Sequence, residues 1–306
     1  MLFITFEMRL KMQHNYSILK KSYEIKKNSP KPIEWNEYSN NTIKTFNNLL
    51  KNKSENERVF QHFLEKNPAM VPGAFGIFGE SGHVPHNNAL IAQPKLTGLT
   101  TKIPDFLWLA MDSSSIYPVF IEIETPAKKW FTKNGQQHSD FTQAQNQLTE
   151  WKEWFANSNH KDLFYQFYGI HSDIFEKKMV KPRYILIYGS RSEFKEKPDL
   201  NRKRSLLARE DEEYMTFDRL NPNQKASNVI TCKVKDGKFF AKYVPPTFKL
   251  GPGLASYRSE ILNMESAINK SELKEERKEF LISRLDYWDS FAKKEYVGII
   301  DMGDWE

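Results

Sequence analysis

One cysteine, Cys232, stands in 306 residues, so the chain can form no internal disulfide and no zinc site built from several cysteines. Apolar runs of membrane-spanning length are also missing. The opening MLFITFEMRLKMQ is broken by Glu7 and Arg9, too early for a signal peptide or a span. These absences lead us to expect a soluble protein of a reducing compartment, the cytoplasm, with no membrane partner. No GK[ST] phosphate loop is present: Gly73, Gly76 and Gly79 sit in a stretch without that ending or a preceding strand. The seven histidines are scattered, and His83 and His86, flanking Val84-Pro85, make a poorly organised ligand pair. A large surplus of one charge is lacking too. The 45 basic and 39 acidic residues leave +6, which permits nucleic-acid contact without making a polycation.

What is present divides into three parts. Residues 1–36 are lysine-rich and end in the breaker run NSPKP, as a basic arm or small accessory element would. Residues 37–250 carry the patterning of one α/β (α+β) domain, a mixed central sheet flanked by helices. Ile43, Phe46, Leu49 and Leu50 follow helical spacing, and so do Val59, Phe60, Phe63 and Leu64 after an apparent Ser54/Glu57 capping box. A strand near Ala89 to Ala92 precedes two apolar runs around Met111-Asp112-Ser113-Ser114-Ser115, a hairpin signal. A helix over TQAQNQLTEWKEWFAN, capped by Ser139 or Asp140, and one from His160 to Lys178 come next. RYILIYGS reads as a buried strand, Tyr214 to Phe217 as a short one, and VITCKV and KFFAKYV as a hairpin turning at Asp236-Gly237. Residues 251–306 are charged and helical; Leu254, Ile261, Leu262, Ile268, Leu281, Leu285 and Trp288 there suggest packing against another subunit.

The chemistry concentrates in IPDFLWLAMDSSSIYPVFIEIETP. Alternation on a strand puts Glu122 and Glu124 on one face, with Cα atoms about 6.5–7 Å apart. If Asp105 lies on the neighbouring strand, three carboxylates converge, and each raises the pKa of the others unless a cation is bound. A hard divalent ion, Mg²⁺ or Mn²⁺, answers that cost. The same spacing also suits the solvated face of a half-buried sheet.

Pro104-Asp105, a hairpin and then Glu122-Ile123-Glu124 resemble the PD-(D/E)xK nuclease superfamily, with its restriction-endonuclease-like core. The surrounding frame is more specific. It runs through Glu57, Gln61, Phe63, Leu64, Asn67 and Pro68, then Ala144, Gln147, Leu148 and Trp151, then RYILIYGSR and TFDRL. This ordered set resembles the Shedu family of bacterial anti-phage defence proteins over residues 40–225. The resemblance implies a Mg²⁺- or Mn²⁺-dependent DNA endonuclease acting on phage or plasmid DNA. Asp105, Glu122, the Ile123 carbonyl and Glu57 would hold the metal, with Gln147 facing the site from the following helix. Trp151 and Trp154 read as core residues.

Glu124 stands where the superfamily's simplest pattern has lysine. A glutamate cannot lend positive charge to a transition state, though it can hold a second metal or accept a proton. Lys128, Lys129 and Lys102 are the nearby substitutes. Lys128, Lys129 and Lys133, with Arg202 to Arg204, could also screen DNA phosphates. Two expectations follow: an active endonuclease, or a nuclease-like DNA-binding sensor with little turnover, either assembled as a homo-oligomer, dimer or tetramer.

Overall fold

The computed structural model describes residues 20–75, 84–97, 101–171, 177–294 and 298–306. Residues 1–19 of the expected arm, Gly76, Gly79 and His83 lie outside the described residues. The described elements are α1 (Trp35–Asn52), α2 (Glu57–Lys66), β1 (Ala89–Ala92), β2 (Phe106–Met111), β3 (Ser115–Ile123), α3 (Ser139–Ala156), α4 (Ser158–Phe167), β4 (Met179–Val180), β5 (Arg183–Ile187), α5 (Pro198–Ser205), β6 (Glu212–Met215), β7 (Ile230–Lys235), β8 (Lys238–Tyr243), α6 (Ala255–Ser259), β9 (Ile261–Leu262), α7 (Met264–Asn269) and α8 (Glu275–Ala292). Nine strands form one mixed sheet in the order β6-β5-β3-β2-β1-β7-β8-β9, with β4 beside β3.

Period-two patterning sorts the central strands onto two faces. Phe106 and Trp108 of β2 and Val119, Ile121 and Ile123 of β3 pack on Phe46 of α1 and on Phe60, Phe63 and Leu64 of α2. Leu107, Leu109 and Phe120 point the other way, where Phe120 meets Trp151 and Phe155 of α3. Each large side chain buried this way contributes about 1.5–3 kcal/mol, so the sheet is clamped from both sides. Trp151 and Trp154 are core residues here, as is Cys232.

Both hairpins form. Asp112 Oδ1 accepts from the Ser114 and Ser115 amides at 2.7 Å, making the β2–β3 turn. Asp236 and Gly237 take φ of 50° and 73° between β7 and β8, the left-handed pair that a two-residue hairpin turn needs. Several boundaries differ from expectation. Helix α3 is capped by His138, whose Nδ1 accepts from the Asp140 amide at 3.3 Å. Helix α4 stops at Phe167, before Gly169 at φ +64°, and β4 then pairs with β3.

Residues 251–306 join the same architecture. Strand β9 pairs with β8, and Leu281, Leu285, Trp288 and Phe291 of α8 are buried in the chain's own core. Of the apolar residues expected to meet another subunit, Ile261, Ile268, Leu281, Leu285 and Trp288 are buried within the chain itself, Leu254 is half-buried and Leu262 is exposed. Arg277 anchors this segment. Its guanidinium donates to the Pro30 and Phe248 carbonyls at 2.7 Å and pairs with both Glu306 carboxylate oxygens.

Candidate functional site

The Phe106↔Ile121 pairing of antiparallel β2 and β3 sets Asp105 directly opposite Glu122. Both belong to the face that carries Leu107 and Phe120, at the end of β3 where it gives way to Glu124 and Thr125. The Asp105 amide donates to the Ile121 carbonyl at 3.1 Å. The Ile123 amide donates to Asp105 Oδ2 at 2.8 Å, fixing the carboxylate against the strand end.

Burial decides the electrostatics here. Glu122 and Glu124 are 8% and 7% exposed. Burial, and then the charges of Asp105, Glu124 and Glu57, push the Glu122 carboxyl well above the usual carboxylate range. Asp105 also moves up, chiefly by burial, against the pull of the Ile123 amide. Each carboxyl lies close enough to the other to raise the cost of ionising both. The physical reason is that a buried carboxylate, Glu122, faces a half-buried one, Asp105, with no counter-charge between them.

Glu57 closes the site from the opposite helix layer. The cap of α2 is Asn56, whose side chain accepts from the Val59 amide at 3.3 Å, so the helix begins at Glu57 itself. The expected Ser54/Glu57 capping box does not form, because Asn56 occupies the cap. The Glu57 side chain is exposed yet near enough to the cluster that desolvation and the Glu124 charge raise its carboxyl. Ser54 serves elsewhere, its carbonyl accepting from the Ala127 amide at 3.1 Å.

That tether bears on the missing lysine. The chain turns back after Pro126, and Lys128 Nζ forms an ion pair with Glu124. A cation therefore enters the acid cluster from four residues downstream. Gly189 permits this close turn: it sits at φ +64°, its amide donates to the Thr125 carbonyl at 3.2 Å, and a Cβ there would lie 2.8 Å from the Lys128 carbonyl oxygen. Glu193 fixes the next residues by accepting from the Trp130 and Phe131 amides at 3.0 Å each.

A model of the family "Shedu protein SduA, C-terminal" matches residues 54–221. The chain belongs to the Shedu family. No curated protein matches it. The matched Shedu region holds α2 through β6, and with them every residue just described. Family membership indicates a role in the Shedu anti-phage system. Within the Shedu frame, Lys102 is drawn away from the cluster by an ion pair with Glu150. Lys129 and Lys133 are exposed. Gln147 is half-buried on α3, and among the described residues it makes no polar contact with the carboxylates. Nor, among the described residues, is any group of three or more His, Cys, Asp or Glu side chains arranged to hold a metal ion.

Two contributors had no assigned role in the sequence reading. Gln61, one turn after Glu57, donates to the Asp105 carbonyl at 3.4 Å, while its own Oε1 is buried without a partner; the i, i+4 spacing from Glu57 was the available signal. Glu193 left no such signal, since its role depends on a fold-back across some sixty residues. Among the described residues, no helix is long and apolar enough to cross a membrane.

Proposed function

We propose that this Shedu protein is a metal-dependent DNA endonuclease with a PD-(D/E)xK active site. The observation that carries the reading is the opposition of half-buried Asp105 and buried Glu122 beside an acid, Glu124, that holds a lysine. The donor set fits Mg²⁺ or Mn²⁺: hard oxygens, buried, and short of the positive charge that would let both ionise. Asp105 and Glu122 would hold the ion with the Ile123 carbonyl, and Glu57 would reach it directly or through water. A bound divalent ion would supply Lewis-acid polarisation of the phosphodiester and a water of lowered pKa.

The chain's own residues do the remainder. Glu124 orients Lys128, whose ammonium can donate to the attacking water or to the charge developing on phosphate. Gln61 braces the Asp105 backbone. Lys129 and Lys133, exposed on the loop that follows, meet the flanking DNA phosphates. The lysine of the simplest pattern is thus replaced in space by one that the Pro126 turn delivers.

A second reading, a nuclease-like DNA-binding sensor, is favoured by one observation: no ready-made three-ligand group accompanies Asp105 and Glu122 among the described residues. Incubating linear and circular DNA with Mg²⁺ or Mn²⁺ separates the two. Metal-dependent cutting that is lost in Glu122→Ala and in EDTA supports the enzyme. Cutting that persists in Glu122→Ala overturns the site. DNA retention by a wild type that cuts under no condition supports the sensor.

A further inference from the structure

The chain's positive charge is unevenly placed. Residues 128–135 and 188–205 hold nine basic side chains against three acidic ones, a surplus of six that equals the +6 of the whole chain. The fold brings these segments together, since Trp130 Nε1 donates to the Tyr188 carbonyl at 3.0 Å and Lys203 to the Gly135 carbonyl at 2.6 Å. Two of the three acids are already spent: Glu193 on the Trp130 and Phe131 amides, and Asp199 on Arg202.

Three arginines gather around the turn after β5. The Arg204 guanidinium lies over Phe194, 4.8 Å from the ring centroid, and 5.4 Å from that of Trp130. Stacking of this kind holds the planar cation in one orientation. Arg191 belongs to the same turn, and its amide donates to Asp218 Oδ2 at 2.6 Å, which brings the neighbouring Arg219 alongside. Among the described residues, no carboxylate pairs with Arg204 or with the Arg191 side chain. Arg219 has only Glu213 at 3.4 Å, with both side chains well exposed, a contact worth little in water. Burial and the charges of Arg219 and Arg191 lower the Arg204 pKa, in keeping with mutual repulsion that an anion would relieve.

We infer that Arg191, Arg204 and Arg219 form a phosphate-binding rim that holds the DNA backbone as it leaves the carboxylate site. The ligand is the phosphodiester backbone, and the inference rests on the nuclease reading of the neighbouring acids. Continuity between the two sites is direct, because the Gly189 amide is bonded to Thr125 immediately after Glu124. Trp130 is fully buried, so it serves as the seat of Arg204 and leaves the bases unread. The rim therefore grips DNA without regard to sequence.

The test is fluorescence anisotropy of the full chain with a short 5′-hydroxyl duplex in EDTA, over a range of salt. Arg204→Gln and Arg191→Gln should each weaken binding about 5- to 10-fold and lower the slope of log K against log salt by about one. Arg202→Gln, whose partner is already Asp199, should change affinity less than about twofold. Arg204→Lys, which keeps the charge, should restore most of the salt slope. If wild type binds and Arg191→Gln and Arg204→Gln bind equally well with unchanged slope, the rim is refuted while the nuclease reading stands. If wild type binds no DNA at any salt, the nuclease reading itself is overturned. Loss in Arg204→Gln that Arg204→Lys leaves uncorrected, with Arg191→Gln unaffected, assigns Arg204 to packing and refutes the rim.

Discussion

Glu122→Gln should make the metal-free protein more stable, and more so as pH rises. A glutamine amide facing Asp105 can donate to it, yet it carries no proton that alkali can remove. Residues opposed across antiparallel strands have Cβ atoms about 5 Å apart, and two unit charges there repel by about 3 kcal/mol at an effective dielectric of about 20. The folded-state pKa of Glu122 is raised, so its cost is absent below the ordinary carboxylate range, accrues as pH climbs from that range to the raised value, and is constant above it. In EDTA at about pH 8 the variant should therefore gain about 1–3 kcal/mol, and at about pH 5 the difference should shrink below about 1 kcal/mol. Urea unfolding at the two pH values reads this directly. Magnesium should invert the order, since an ion at 100 times its Kd stabilises the wild type by about 2.7 kcal/mol and finds one ligand missing in the variant. A wild type more stable than Glu122→Gln in EDTA near pH 8, or a difference independent of pH, would refute the opposed-carboxylate account.

Lys128→Ala should lower DNA cleavage by about 10²-fold or more while moving stability by no more than about 1 kcal/mol, because its ion pair is partly exposed; single-turnover cleavage and a thermal melt separate the two. Gly189→Ala, strained at φ +64° and crowded against the Lys128 carbonyl, should cost at least about 2 kcal/mol in chemical denaturation. His86 is held down to about 4 by burial and the charge of His171. The unfolded chain then binds the extra proton between about pH 6.5 and 4, so wild type should lose up to about 3 kcal/mol across that window, and His86→Gln should flatten the loss. Glu306→Ala strips a buried guanidinium of its carboxylate and should cost about 3–5 kcal/mol in urea unfolding.

The opposed carboxylates could be read from the chain because hairpin register is a local property. A turn centred between Ser113 and Ser114, with Asp105 and Glu122 equidistant from it, determines which residues face each other, and β2–β3 pair accordingly. Lys128 was named as a substitute, but its contact could not be read. It depends on the Ser54 carbonyl and on Gly189, which lie far from it in sequence and meet only in the fold. The cap of α2 escaped the sequence for a different reason: Ser54 and Asn56 both suit a cap, and spacing alone does not rank them. In residues 251–306 the apolar spacing of Leu281, Leu285 and Trp288 identified a helix with one buried face, but periodicity carries no information about what covers that face. Of the arginine rim only Arg204 was legible, within the basic run Arg202 to Arg204; Arg191 and Arg219 come from separate elements that meet it only in the fold.

Arg277 has a consequence for the order in which the molecule assembles. One guanidinium joins carbonyls of Pro30 and Phe248 to the carboxylate of Glu306, the first of them 247 residues away. Contacts of that separation form only after the intervening chain is organised. The segment around Pro30, the Phe248 loop and α8 should therefore dock late and reopen together, exchanging their amide hydrogens as one cooperative unit. The carboxylate site, contained within residues 54–128 apart from its support by Gly189 and Glu193, would already be standing when that clasp closes.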